Sequence, residues 1–210
     1  MLTNKFFYLI LAIILISIFM LWQLYAYKVP EPHYVVIKTD ENIEIREYPA
    51  LLAARVEVAG GRYTAINKGF RILADFIFGN NNAENKIAMT APVTQKITDT
   101  SISRPVALEK KTNTWMIEFI MPSGYTLANL PKPKNNAITI LQIPKMKYVV
   151  IRFSGTNSQA NLSKYLNLLE RYISKNKLTV IGQPIFAFYS PPWILPFLRR
   201  NEIMFELKID

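Results

Sequence analysis

Pro49, Gly60, Ala65, Phe70 and Leu73 recur 95 residues later as Pro144, Gly155, Ala160, Tyr165 and Leu168. Those identities are few; the stronger signal is the order around them, in which a strand leads through a glycine into a helix and then two further strands. In the first stretch Leu51–Val58 reads as a strand ending at Gly60-Gly61. Tyr63–Phe78 follows as a helix with Ile66, Phe70, Leu73 and Ile77 on one stripe, and Gly79 stands where a helix closes at positive φ. Strands Ile87–Ile97 and Trp115–Met121 come next, separated by the polar segment Thr98–Asn113. In the second stretch Ala137–Pro144 and Tyr148–Phe153 read as strands. A helix over Ser158–Lys175, with Leu162, Tyr165, Leu166, Leu169 and Tyr172 on one side, precedes strands Pro184–Tyr189 and Ile203–Ile209. Val35–Lys38 and Ile43–Tyr48 are short strands about an Asp40-Glu41-Asn42 turn. Each half has a sheet face to cover, so pairing the two buries one continuous core. The expected architecture is α+β: two pseudo-repeated βαββ halves forming a curved or barrel-like, mostly antiparallel sheet with two helices. A cleft between the halves is a natural ligand site.

Ahead of this domain, Phe6–Tyr27 carries no charge, and thirteen of its residues are Leu, Ile or Phe. Twenty-two residues exceed the ~20 needed to span hydrocarbon, and Trp22, Tyr25 and Tyr27 suit an interfacial belt. Leu24-Tyr25-Ala26 offers bulky residues where a cleaved signal peptide needs small ones. Residues 1–28 are therefore expected to be a retained single-pass transmembrane anchor. Residues 29–33 form a stiff Pro-rich linker and 34–210 the domain. A short basic tail before an apolar run stays in the cytoplasm, which places the domain on the extracytoplasmic side.

The chain has no cysteine, which excludes disulfides, thiolate metal ligands and a Cys nucleophile. Its only histidine, His33, lies in the linker. No Gly-x-Ser-x-Gly elbow is present, and Glu41, Glu44 and Glu47 flank a short strand where they would face solvent. No catalytic constellation emerges, so a binding protein is expected rather than an enzyme. The net charge is +10, which favours an anionic partner or simply a soluble basic surface. Lys132, Lys134, Lys145 and Lys147 form a loose basic cluster without a recognition motif, so nucleic acid is not an expected partner.

Several segments stand in a characteristic order: Glu44-Ile45-Arg46-Glu47-Tyr48-Pro49, then Lys86-Ile87-Ala88-Met89-Thr90-Ala91-Pro92-Val93. Phe119-Ile120-Met121-Pro122 with Tyr125, Leu130-Pro131-Lys132-Pro133, Phe153-Ser154-Gly155 and Tyr189–Glu202 follow. In wording and spacing this set resembles the SOUL heme-binding family across Tyr34–Lys208. The resemblance implies effector-binding-type βαββ halves and a non-catalytic ligand site for heme, a related tetrapyrrole or another hydrophobic anionic molecule. Carried over by position, the apolar groove beside the first helix would involve Ile66, Phe70 and Leu73. Lys68 and Arg71 would meet propionates, and Met89 would be at hand. A helix stripe such as Ile66, Phe70 and Leu73 is equally suited to plain helix–sheet packing. Lys68 and Arg71 equally suit a solvated face, and Met89 a packed strand. The family's histidine ligation has no counterpart in this domain, so the metal ligand is left open. The alternative reading is a lipid- or protein-interaction module at the membrane surface.

Overall fold

The computed structural model describes residues 2–25, 29–98 and 113–208. Helix α1 is Leu2–Tyr25. The domain follows as β1 (Val35–Asp40), β2 (Ile43–Tyr48), β3 (Leu51–Gly60), α2 (Arg62–Ile77), β4 (Val93–Ile97), β5 (Asn113–Ile120), β6 (Thr139–Ile143), β7 (Met146–Phe153), α3 (Gln159–Lys175), β8 (Val180–Phe188) and β9 (Asn201–Leu207).

The strands form one open antiparallel sheet in the order β1-β2-β7-β9-β8-β4-β5-β3-β6. Apart from β1, this order reads the same from either end once each strand is exchanged for its counterpart in the other half. The two halves meet at β4 and β8, where Val93 pairs with Phe188. They also trade strands. β2 lies outside β7, with Ile43 opposite Ile151, and β6 lies outside β3, with Leu51 opposite Ile143. β1 and β6 are the free edges, so the strands do not close into a barrel.

The recurring Gly60 and Gly155 have φ of +132° and +107°, a region that L side chains rarely enter. Each turns the chain out of its strand and into the following helix. α2 buries Ala65, Gly69, Leu73, Phe76 and Ile77, the spacing of a single sheet-facing stripe. A Cβ on Gly69 would stand 2.6 Å from Ile117 Cδ1, so the missing side chain is what lets α2 settle on β5. α3 buries Leu162, Leu166, Leu169 and Ile173, and Ser158 Oγ accepts from Asn161 N at its start. α2 lies over β3 and β5 and α3 over β7 and β9, which leaves the central β8–β4 pair between the two helices.

Two expectations need correction. The N-terminal apolar run does fold as a helix, with Ser17 Oγ donating to the Ile13 carbonyl at 2.8 Å. Yet among the described residues no helix is long and apolar enough to cross a membrane. α1 takes in Lys5 and the neutral polar residues Asn4, Ser17 and Gln23 along with its apolar residues. The transmembrane helix, the membrane as a partner and the extracytoplasmic placement do not stand.

The strand expected over Ile87–Ile97 begins only at Val93. The backbone donors before it are committed elsewhere: Ile87 N to the Ile77 carbonyl at 2.8 Å and Ala91 N to Pro30 at 2.9 Å. Pro92, after a cis bond, has no N–H to give. Most of the polar segment expected over Thr98–Asn113 lies outside the described residues.

Candidate functional site

Alternation along the strands gives the sheet two faces of different character. One carries both helices and the larger core. The other has no helix and holds Tyr48, Ala91, Tyr148, Val150, Ile185, Ala187, Tyr189 and Met204. An open cleft on this face, with about 470 Å³ of space counting what is open to solvent, is lined mainly by apolar groups. Tyr48, Leu51, Ile120, Ile143, Tyr148, Ile185 and Met204 form it, with Thr94 and Glu118 as its polar points.

A buried charge network sits beside that cleft. Arg46 forks onto Glu202, Nη1 to Oε2 at 2.8 Å and Nη2 to Oε1 at 3.1 Å. The Tyr189 hydroxyl donates to Glu202 Oε2 at 2.8 Å, and Arg200 Nε donates to Oε1 at 2.9 Å. Burial by itself would lower the Arg46 pKa, but Glu202 outweighs it and holds the guanidinium above its ordinary value. Burial, then the charge of Glu202, pushes the Tyr48 phenol up to about 12 and lifts Tyr189 as well. Burial likewise raises Tyr148. All three phenols stay neutral near pH 7.

The segment before β1 straps across this side. Pro32 lines the cleft, Arg200 Nη1 donates to Glu31 Oε2 at 2.8 Å, and the Tyr34 ring lies under the Arg46 guanidinium at 4.4 Å and meets Tyr48 at a tilt. Glu118 accepts from Arg55 Nε at 2.7 Å and from Thr94 Oγ1 at 3.3 Å. The sunken cations Arg46, Arg55 and Arg200 thus each face a carboxylate already. A ligand with carboxylates would meet Glu118 in this cleft, with Glu202 buried beside it and no free cation lining it among the described residues.

The residues expected to bind ligand lie on the helix-bearing side. Leu73 is fully buried under α2 and belongs to the core. Ile66 and Met89 are half-buried and pack against that core. Phe70, one turn from Ile66, keeps 41% of its surface exposed while its ring meets Phe119 edge-on at 5.4 Å. Tyr63, on the same stripe two turns earlier, is 83% exposed. Arg71 and Lys68 are exposed and have no ion-pair partner among the described residues. Arg71 follows Phe70 directly. Lys68, two positions before Phe70, projects to another side of the helix. The structure therefore brings Ile66 and Phe70 to one flank and places Leu73 beneath it, while Arg71 and Lys68, one position after and two before Phe70, lie off that stripe.

Sequence reasoning missed Arg46, Glu118, Tyr189, Arg200 and Glu202 as site residues. Arg46 and Glu202 stand in two of the quoted motif segments, and their meeting 156 residues apart explains why both segments carry charge within strands. Glu44 and Glu47 are not left to solvent: Glu44 accepts from Arg46 Nε at 2.6 Å, and Glu47 pairs with Lys145 at 2.7 Å.

The domain is thus a two-half antiparallel sheet with a helix on each half and an open cleft on its helix-free face. Solved structures share this fold. The C-terminal domain of EcmrR aligns with a TM-score of 0.58 and 14% identity, covering 80% of this chain and 98% of that one. A hydrolase from Listeria innocua aligns at 0.53 and 10%, covering 82% and 94%. At such identities the likeness is one of fold alone. The family comes from sequence. Residues 29–206 match the model of the SOUL heme-binding protein family. Heme-binding protein 2 of Mus musculus is 30% identical over 166 residues, covering 77% of this chain and 76% of that protein. The chain belongs to the SOUL family.

Proposed function

We propose that the domain binds a tetrapyrrole, heme foremost, along the flank of α2 and without catalysing a reaction on it. The observation that carries this reading is the apolar stripe of exposed Tyr63 and Phe70 with half-buried Ile66, on a helix whose outer surface also carries Arg71 without an ion-pair partner among the described residues. A tetrapyrrole needs an apolar plane and a cation for its carboxylates. The helix-free cleft provides the first but has spent its nearby cations on Glu118 and Glu202. Family membership favours the same ligand class.

The donor set fits the macrocycle better than the iron. His33 is exposed in the strap on the other side of the molecule from α2, and the chain has no thiolate. Met89 and Met121, packed in the same core as Ile66, are the soft donors of this side of the sheet. Recognition thus rests on ring and carboxylates, and Lys68 adds charge to the helix without touching the stripe.

Titrations with hemin, protoporphyrin IX and an unrelated amphiphile test this. Protoporphyrin should bind as well as hemin within a fewfold, and Phe70→Ala and Arg71→Gln should each weaken both by about tenfold. Equal weak binding of all three compounds, with no change in the Soret band, would make the surface a general interaction face instead.

A further inference from the structure

At the head of α2, one partly buried guanidinium bridges the two halves and has no carboxylate partner among the described residues. Arg62 Nη1 donates to the Asn157 carbonyl at 3.1 Å, just before α3, and Nη2 donates to Gln95 Oε1 at 3.0 Å on the central strand β4. Its Cζ stands 5.9 Å from the centre of the Trp115 ring and 5.8 Å from that of Phe188. Arg62 Nε is sealed from solvent and has no acceptor among the described residues. Trp115, which is fully buried, likewise has an Nε1 hydrogen with no acceptor among the described residues. No ion pair involving Arg62 occurs among the described residues.

Both unmet groups are donors, and the surroundings add to them. Gly61 at the start of α2 has no side chain to cap the first amides, so the positive end of the helix is open. α3 differs, since Ser158 fills that role there. Burial draws the Arg62 pKa down to about 10, which leaves it charged at neutral pH without an ion-pair partner among the described residues. An unpaired charge with an orphaned hydrogen of its own, beside an aromatic ring whose indole hydrogen is also orphaned, is costly unless an acceptor joins them.

We propose that Arg62, Trp115 and the uncapped start of α2 form a site for one oxyanion group, a carboxylate or a phosphate, between the two halves. The group arrives either alone, as a free anion, or as the acidic end of an apolar molecule lying along Ile66 and Phe70. Arg62 is one turn before Ile66 on α2, so the second source would rest on the tetrapyrrole reading. The first would not.

Inorganic phosphate and acetate, each titrated into the full-length chain at constant ionic strength, separate these sources from each other and from a structural role. The expected result is a saturable rise in Tm together with a change in tryptophan fluorescence. Arg62→Gln should raise the half-saturating concentration at least about tenfold, and Trp115→Phe should raise it by a smaller factor with the charge intact. In anion-free buffer Arg62→Gln should match or exceed the parent Tm, because it removes an unpaired charge. Protoporphyrin IX binding tighter than its dimethyl ester, with the difference abolished by Arg62→Gln, would assign the group to the larger ligand. Phosphate saturation with no such difference would assign it to a free anion. Absence of any saturable response to phosphate, acetate or protoporphyrin would overturn the site. So would an Arg62→Gln variant that loses stability equally in every buffer, since Arg62 would then only tie Asn157 to Gln95.

Discussion

Arg46 on β2 reaches across the whole width of β7 to fork onto Glu202 on β9, 2.8 and 3.1 Å away, with both side chains excluded from solvent. This contact ties together three strands whose backbones are paired only neighbour to neighbour. It also fixes the carboxylate on which Tyr189 and Arg200 converge.

Breaking the pair from one side should therefore be expensive. Arg46→Met leaves Glu202 buried, with Arg200 and Tyr189 still donating to it. The loss should fall at the lower end of the roughly 3–5 kcal/mol typical of such disruptions. Adding Glu202→Gln should recover at least half of it, read from urea midpoints at constant slope. A single variant that loses less than about 1 kcal/mol would show that the network contributes little.

Alkali should unfold the domain earlier than its charge alone suggests. Tyr48 is held neutral up to about 12 in the folded state, against about 10 for an exposed phenol. Its contribution is fully present below pH ~10 and is lost as pH rises toward 12, about 2–3 kcal/mol in all. Tyr148 and Tyr189 shift in the same direction and steepen the fall. Tyr48→Phe should flatten the stability curve between pH 10 and 12. An unchanged curve would contradict the assignment.

Gly69 presents a clean contest between propensity and packing. Alanine gains about 1 kcal/mol within a helix, but its Cβ would press on Ile117 Cδ1 and Cγ1 at 2.6 and 2.9 Å in a fully buried site. Overpacking costs roughly 1–3 kcal/mol, so Gly69→Ala should lower Tm despite the better helix former. Ile117→Val removes the nearer contact, and the double variant should regain part of the loss. A Gly69→Ala protein that melts higher than the parent would refute the close approach.

Asn81, in the loop after α2, is fully buried. Its amide donates to the Phe76 and Asn85 carbonyls while its oxygen accepts from Ala83 N and Asn85 N. Asn81→Ala should cost about 2–3 kcal/mol and raise amide exchange across residues 79–86 first. Exchange that rises uniformly over the domain would point to global destabilisation instead.

What could be read in the chain divides along physical lines. Helices α2 and α3 follow from stripes at 3.6-residue spacing, and the recurring Gly60 and Gly155 from the same positive-φ exit, all local properties. The Arg46 network was invisible because a charged residue in a short strand reads as solvated. Only its partner on β9, far along the chain, makes burial tolerable. The segment before Val93 misled in another way. Its apolar alternation is real, but its amides serve the end of α2 and the strap at Pro30. Leu73 and Phe70 share one stripe, yet only geometry tells which is core and which is surface.

The exchange of β2 and β6 between halves bears on how the chain matures. β2 finds its inner neighbour only when residues through Ile151 exist, and β7 in turn waits for β9, which ends at Leu207. Neither half can complete its own sheet, so the repeat is one cooperative unit and not two linked modules. With so many pairings distant in sequence, it should fold slowly for its size. Expressed apart, the halves would each display an unclaimed strand edge and should aggregate until mixed.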